Sequence, residues 1–434
     1  MLSTRTRTHR LAVVVAAAGI AAAGCSAAAS AQGLPTTGPD VTVNRLNDIA
    51  NYGNTGGLLG YMVGTTSCNI GDTPVNWCDN PGGCGGLTQA QHPVIAQGLY
   101  RLKNGRFDQV GMSWLKHGFV STNSGSSEGA CKSGQDNCIG PPLGGDQLGV
   151  GCRDTYWATL NGGRPMGMRS EVNATTGVFP IPPTEMPFGP EYEERIKVAQ
   201  SDVDPALNAG ALYWVEGQYV SDNDAVAGNG LNNASHRSVT VAAGTFNLAL
   251  QSTIVREHTA LHSWRTQDPT VEIHYVDVPG AIVERFEVAR KVTVVDLDTW
   301  HYEYAVRNMN SDRSARAFSV DFAPNTPIAN VGFKDVDHHS GEPYATTDWT
   351  QAIDLPNGTV SWSTETFATN ANANALRWAT MFNFWFDADA PPATALHALT
   401  LFKPGSPASV TFTIPLFADG FQSHNLTAWS AAVP

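Results

Sequence analysis

Charged side chains are scarce in this chain. Asp, Glu, Lys and Arg together make up 15% of it, and 26 basic residues stand against 39 acidic ones. That balance repels nucleic acid and anionic lipid, so neither is an expected partner. Apolar runs are short, and after residue 31 none approaches the twenty or so residues of a membrane-crossing helix. Long stretches of helical periodicity are missing as well. No cysteine follows Cys152, and no C-x-x-C pair of the kind used by structural zinc sites occurs. Walker and dinucleotide-binding fingerprints are both absent.

What is present begins with an export signal over residues 1–31. Arg5, Arg7 and Arg10 precede the apolar run Leu11 to Ala23, and Ala29-Ser30-Ala31 is a small-residue cleavage signature. The expected location is secreted or periplasmic. Ala22-Ala23-Gly24-Cys25 offers the alternative of a lipoprotein anchored at Cys25. Beyond the signal, 23 basic and 39 acidic residues leave a net charge of −16. Six cysteines remain: Cys68, Cys78, Cys84, Cys131, Cys138 and Cys152. An even number in an oxidising compartment implies three disulfides. The expected pairs are Cys78–Cys84, Cys131–Cys138 and Cys68–Cys152.

Gly (42) and Pro (26) are plentiful, which points to an all-β protein of many short strands. The expected architecture is a set of antiparallel β-sandwich domains, the first Gly- and Cys-rich and stapled by disulfides. Five prolines between Val178 and Pro190 make a stiff connector. It divides a β domain over 40–177 from a β-sandwich region over 191–434, itself divisible near 290. Alternation places strands at Arg195–Gln200, Ala211–Val220, Ser238–Ala242, Thr253–His262, Val271–Val278, Ile282–Val295, Trp300–Arg307 and Arg316–Phe322. Later ones are expected at Val360–Ser363, Leu376–Phe386, Ala395–Phe402 and Val410–Leu416. Leu376, Trp378, Phe382, Phe384 and Phe386 should share one face.

The most informative stretch runs from His92 to Phe119. Two β-rich runs flank Lys103-Asn104-Gly105-Arg106, and Asn-Gly is a strong signal for a two-residue type I′ hairpin turn. That turn sets a register in which paired residue numbers sum to 209. It pairs Leu102 with Phe107, Arg101 with Asp108, Leu99 with Val110, Ile95 with Trp114, and finally His92 with His117. Opposed Cβ atoms lie about 4.5–5.5 Å apart, near enough for two imidazoles to share an ion. Zinc or copper suits such a pair better than calcium. Asp146 or Asp154 is a candidate third ligand. Hydrogen-bonded core histidines and catalytic proton transfer are the alternatives, and a bulge at Gly98 or Gly111 would break the register.

Asp335, Asp337 and His339 form a second candidate metal group, sharing a face if their segment is extended. His258 and His262 lie too far apart on the expected strand to share an ion. Ser113 and Lys116 match S-x-x-K, but a strand points them to opposite faces. The loop from Asp222-Asn-Asp224 to Asn233 has oxygen ligands for calcium without the spacing of a known calcium loop. Tyr156-Trp157 and Tyr213-Trp214 are core pairs or, if exposed, platforms for sugar rings.

Gly64 to Asn69, Tyr100 to Phe107, Gly111 to Phe119, Leu148 to Cys152, Trp300 to Tyr304, Asn310 to Ser314 and His339 to Tyr344 recur together. As a set they resemble a group of exported proteins of unassigned role from environmental bacteria, over most of the chain beyond the signal. Some of that group carry a further C-terminal module, and the Cys78–Cys84 loop is an addition relative to them. The resemblance implies no activity and transfers no functional residue. The expected function is therefore a non-catalytic extracellular binder of a surface, glycan or protein. The alternative is a copper- or zinc-dependent enzyme centred on His92 and His117.

Overall fold

Alternating apolar and polar residues fold here into an almost wholly β protein in which every pairing between named strands is antiparallel. The structure, a computed structural model, describes residues 36–78, 91–125, 131, 137–162, 166–180, 182–184, 194–392 and 395–414. The expected signal segment over residues 1–31, Cys25 and Cys84 lie outside those residues. No helix among the described residues is long and apolar enough to cross a membrane.

Three large sheets carry the fold. The first is built on the long strands Val41–Thr55 and Leu58–Asn69 and on the hairpin Val94–Lys103/Arg106–Met112. It also takes in Ile196–Ala199, Leu212–Val220, Ala234–Val241 and Leu248–Leu250. Strands from both sides of 178–190 therefore pair in one sheet, and the Pro-rich segment is not a boundary between sheets. The second sheet contains Glu272–Val278, Glu284–Val294, Trp300–Asn308, Thr380–Ala388 and Ile328–Lys334. The division expected near 290 falls inside one of its strands. The third contains Ala315–Asp321, Thr350–Asp354, Thr359–Ser363, Leu396–Leu401 and Ser409–Thr413.

The strands placed by alternation beyond residue 195 follow the sequence pattern closely, with two departures among them. Residues 253–261 form no strand: a single bridge joins Val255 to His236, and a short helix begins at His262. Ala379 adopts a left-handed φ of 54° and separates Trp378 from the strand that follows. Phe382, Phe384 and Phe386 thus enter the largest core with Leu376, while Trp378 packs with Val94, Leu115 and Phe179.

The largest core draws Tyr302, Tyr304 and Phe286 from the second sheet and Phe318, Val320, Trp362 and Leu399 from the third. The opposite face of the second sheet is buried too. Ala289, Ala305 and Met381 pack with Tyr100, Phe107, Trp214 and Trp264 on the first-sheet side. Polar residues on that face are therefore matched by charge. Arg307 Nη2 donates to Glu216 Oε1 at 2.5 Å and to Gln218 Oε1 at 2.7 Å. Tyr100 OH donates to the same Glu216 oxygen at 3.2 Å, and the Ala260 amide donates to the other at 2.6 Å.

The cysteine pairs differ from expectation. Cys68 bonds to Cys131, and Cys138 to Cys152, with Cα–Cα distances of 5.7 and 4.3 Å. The Ile139 amide donates to the Val150 carbonyl at 2.9 Å and so closes the 138–152 loop beside its own cysteines. Cys152 does sit near Cys68, whose register partner is Arg153, but its sulfur is already committed. Cys78 is disulfide-bonded, and its expected partner Cys84 lies outside the described residues.

Breaking one side of a buried ion pair strands the other charge, so Arg307→Met should cost about 3–5 kcal/mol in urea unfolding. Combining it with Glu216→Leu should cost less than the two single changes added together. The loop closed by Cys68–Cys131 spans 63 residues against 14 for Cys138–Cys152. Replacing the first pair by serines should cost roughly 4 kcal/mol and the second roughly 3, with peptide mapping to verify the connectivity.

Candidate functional site

The hairpin forms at the predicted turn. Asn104 and Gly105 have φ of 52° and 85°, the two positive values a type I′ turn requires. Near the turn the register sums to 209: Lys103 faces Arg106, Leu102 Phe107, Arg101 Asp108 and Tyr100 Gln109. A bulge then shifts it, so Leu99 faces Gly111 and not Val110. A second extra residue precedes Lys116–His117, where Ile95 faces Lys116 and Val94 faces His117. The expected pairings Ile95–Trp114 and His92–His117 are therefore not made directly. One extra residue would have turned the following side chains to the other face, and two restore it.

His92 and His117 consequently meet as diagonal neighbours. His92 Nε2 and His117 Nδ1 lie 2.8 Å apart, with ring centroids 5.1 Å apart. Phe179 covers both rings at 5.0 and 5.1 Å. His92 Nδ1 lies 3.0 Å from the Cys78 carbonyl, which can only accept, so this nitrogen carries the proton. His92 Nε2 then accepts from His117 Nδ1–H. Two nitrogens on one tetrahedral zinc at ordinary bond lengths sit about 3.3 Å apart, and here the gap is closed by a hydrogen bond. Burial, and after it the neighbouring His92, push His117 down to about 3. Its Nε2 is buried against Gly167, where an added Cβ would lie 2.2 Å away.

Of the third ligands suggested for this pair, Asp154 is engaged elsewhere. Asp154 Oδ1 accepts from the Thr122 amide and hydroxyl at 2.8 and 2.9 Å. Asp146 stands beside Trp77, whose amide donates to its carbonyl at 2.8 Å. Among the described residues no group of three or more His, Cys, Asp or Glu side chains could hold a metal ion.

Asp335, Asp337 and His339 do not converge. Asp335 accepts from Asn374 Nδ2 at 2.6 Å, Asp337 faces solvent, and His339 Nε2 lies 2.8 Å from the Arg195 carbonyl. Burial raises Asp335 to about 6 despite the Asn374 bond. The rings of His258 and His262 stack at 4.6 Å, because a bend and a helix replace the expected strand. Ser113 and Lys116 are both buried. Lys116 Nζ donates to the Val63 carbonyl at 2.6 Å, and burial lowers it to about 7.

A different feature of the first sheet has the makings of a binding site. An open cleft of about 530 Å³ is lined by Arg45, Asn47, Thr66, Thr155, Trp157 and Arg237, with Leu46 and residues 252–254. At the end of strand Arg153–Tyr156 alternation sends Tyr156 inward, against Lys116 and Phe119, and Trp157 outward, where it is 48% exposed. Thr66 and Thr155 hydroxyls meet at 2.9 Å across paired strands, and Asn47 Nδ2 donates to Thr66 at 2.7 Å. Arg237 is held by the carbonyls of Leu46 and Ser252 at 3.0 and 2.7 Å. Among the described residues no carboxylate, histidine or cysteine lines the cleft. Of its members only Trp157 was singled out in the sequence. The rest come from segments up to two hundred residues apart, which no local spacing reveals.

No protein-family model matches the chain, and no curated protein does. Among solved structures it aligns with the exo-chitosanase CsxA of Amycolatopsis orientalis at 8% identity and a TM-score of 0.16. The alignment covers 81% of this chain and 25% of that one, so the chain spans about a quarter of that enzyme's length. A likeness so slight bears on neither fold nor function.

Burial also lowers His236 and His339 to about 4 and His338 and His397 to about 3. The unfolded chain takes up these protons near pH 6.5, the folded one only below about 4, so stability is full above pH 6.5 and falls as the pH drops. Urea unfolding between pH 7 and pH 5 should show this loss. His117→Gln should flatten the slope by at most about 1.4 kcal/mol per pH unit.

Proposed function

We propose that this protein is an extracellular, non-catalytic glycan binder that uses the cleft around Trp157. The observation that carries the reading is an indole nearly half exposed beside hydroxyl, amide and guanidinium groups already fixed by hydrogen bonds. A sugar ring offers an apolar C–H face for stacking and a rim of hydroxyls for such polar groups. Glycoside hydrolysis needs a pair of carboxylates flanking the bond. Among the described residues the lining supplies none, which favours binding over cleavage. The disulfides suit an oxidising, extracellular setting. A metal-dependent enzyme at His92 and His117 would need a further ligand, and both rings are already engaged in one hydrogen-bonded chain.

Native gels cast with a panel of soluble plant, fungal and bacterial polysaccharides test the reading. At least one polysaccharide should retard the protein. Trp157→Ala should weaken that interaction by about 2 kcal/mol, roughly thirtyfold in Kd, with an unchanged Tm. No retardation on any polysaccharide, or equal retardation of Trp157→Ala, overturns it.

A further inference from the structure

The cleft around Trp157 differs in charge from the chain as a whole. Arg45 and Arg237 line it, and among the described residues no carboxylate does. Arg237 is partly exposed. Its Nε donates to the Gln251 and Ser252 carbonyls at 3.0 and 2.7 Å, and its Nη1 to the Leu46 carbonyl at 3.0 Å. Among the described residues its Nη2 makes no hydrogen bond and no carboxylate pairs with it. Main-chain carbonyls hold a guanidinium in place without cancelling its charge, and the planar fork keeps donors for an incoming anion.

Arg256 adds a third guanidinium close by. Its Nε donates to the carbonyl of Asn44, the neighbour of Arg45, at 3.2 Å, and its Nη1 to the Cys131 carbonyl at 3.0 Å. Burial lowers its pKa against the attraction of Glu257, and the charge of Arg45 lowers it further. The cleft also continues past Arg237. A second open cleft, of about 410 Å³, shares Arg237, Ser252 and Thr253 with the first and adds Ser238, Thr240 and Gln251. Ser238 Oγ donates to Ser252 Oγ at 2.8 Å, and Gln251 Nε2 to Thr240 Oγ1 at 3.1 Å. Arg237 thus stands where the two clefts meet, with fixed hydroxyl and amide groups on either side. One cleft of this size suits a small ligand, whereas two that share a wall suit a chain.

We propose that the two clefts together bind an acidic polysaccharide, one bearing uronate carboxylates or sulfate esters, and that Arg237 reads its charge. The inference rests on the cleft around Trp157 being the glycan site. Trp157 would stack on a sugar ring, and the Arg237 fork would meet the anionic group in a charge-assisted contact, stronger than a neutral one. The whole chain carries 39 acidic residues against 26 basic ones. That excess acts weakly at the cleft, because exposed charges more than about 8 Å apart are largely screened at physiological salt.

Titration calorimetry on the full protein tests this with two matched pairs of polymers: polygalacturonate against its methyl ester, and dextran sulfate against dextran. At least one acidic polymer should bind roughly tenfold more tightly than its uncharged counterpart, and the pair that shows it identifies the anionic group. Arg237→Gln should bring that polymer down to the affinity of its counterpart, whereas Trp157→Ala should weaken both members of the pair. Raising NaCl from about 50 to about 500 mM should weaken the acidic polymer roughly fivefold and leave the uncharged one unchanged. That wild-type measurement decides if Arg237→Gln does not fold. Equal affinity within both pairs overturns the inference, as does an acidic preference that survives in Arg237→Gln or in high salt. Binding of the uncharged polymers alone overturns it too, yet leaves the cleft a glycan site. Binding of no polysaccharide, here or in the native gels, overturns both readings.

Discussion

The fully buried Arg307–Glu216 contact sets the terms for the rest of the molecule. Each charge has left water, so each must find its partner in one place, and those partners sit on different sheets. A greasy interface tolerates sliding, whereas this one does not. Around it Arg106 reaches Glu303 through two hydrogen bonds of 2.7 and 2.8 Å, and Asp108 is shared by Arg101 and Lys334. The second sheet therefore packs through aromatic and aliphatic residues on one face and through apolar contacts joined by matched charges on the other. An acidic protein poor in charge overall has concentrated part of it where position is decided.

Much of the fold was legible because strand alternation is a local property. The runs at 271–278, 300–307 and 395–402 are found within a residue or two of where polarity places them. Thr253–His262 misled because β-branched residues state a preference that packing overrode: Leu261 and Trp264 are drawn into the core by a short helix. Ile328–Lys334 and Thr350–Asp354 were missed, since one contains Gly332 and the other is exposed along its whole length. The polar side of Trp300–Asn308 reads as solvent-facing in isolation. Only the first sheet, whose Arg106 and Glu216 meet Glu303 and Arg307, shows that it is covered.

The histidine pair shows how a site can be reached through an inexact route. The Asn104-Gly105 turn fixes four pairings, after which two extra residues intervene that nothing in the local sequence announces. Proximity survived because the shift was even, not because the ladder was regular. The cleft was almost invisible by comparison. Its walls come from Arg45, Thr66, Thr155 and Arg237 on four separate strands, and only the assembled sheet brings them together.

The interleaving of the first sheet also bears on how the chain reaches its final form. Strand Val94–Lys103 has Leu212–Val220 as its neighbour, so one of its edges stays open until more than a hundred further residues are available. A chain synthesised amino end first carries that bare edge through most of its synthesis, exposed to mispairing with other unfinished chains. Assembly dominated by such distant pairings is slow. The sparse, mostly acidic charge of the sequence then acts against such mispairing, since like-charged unfinished chains repel one another until the late strands arrive.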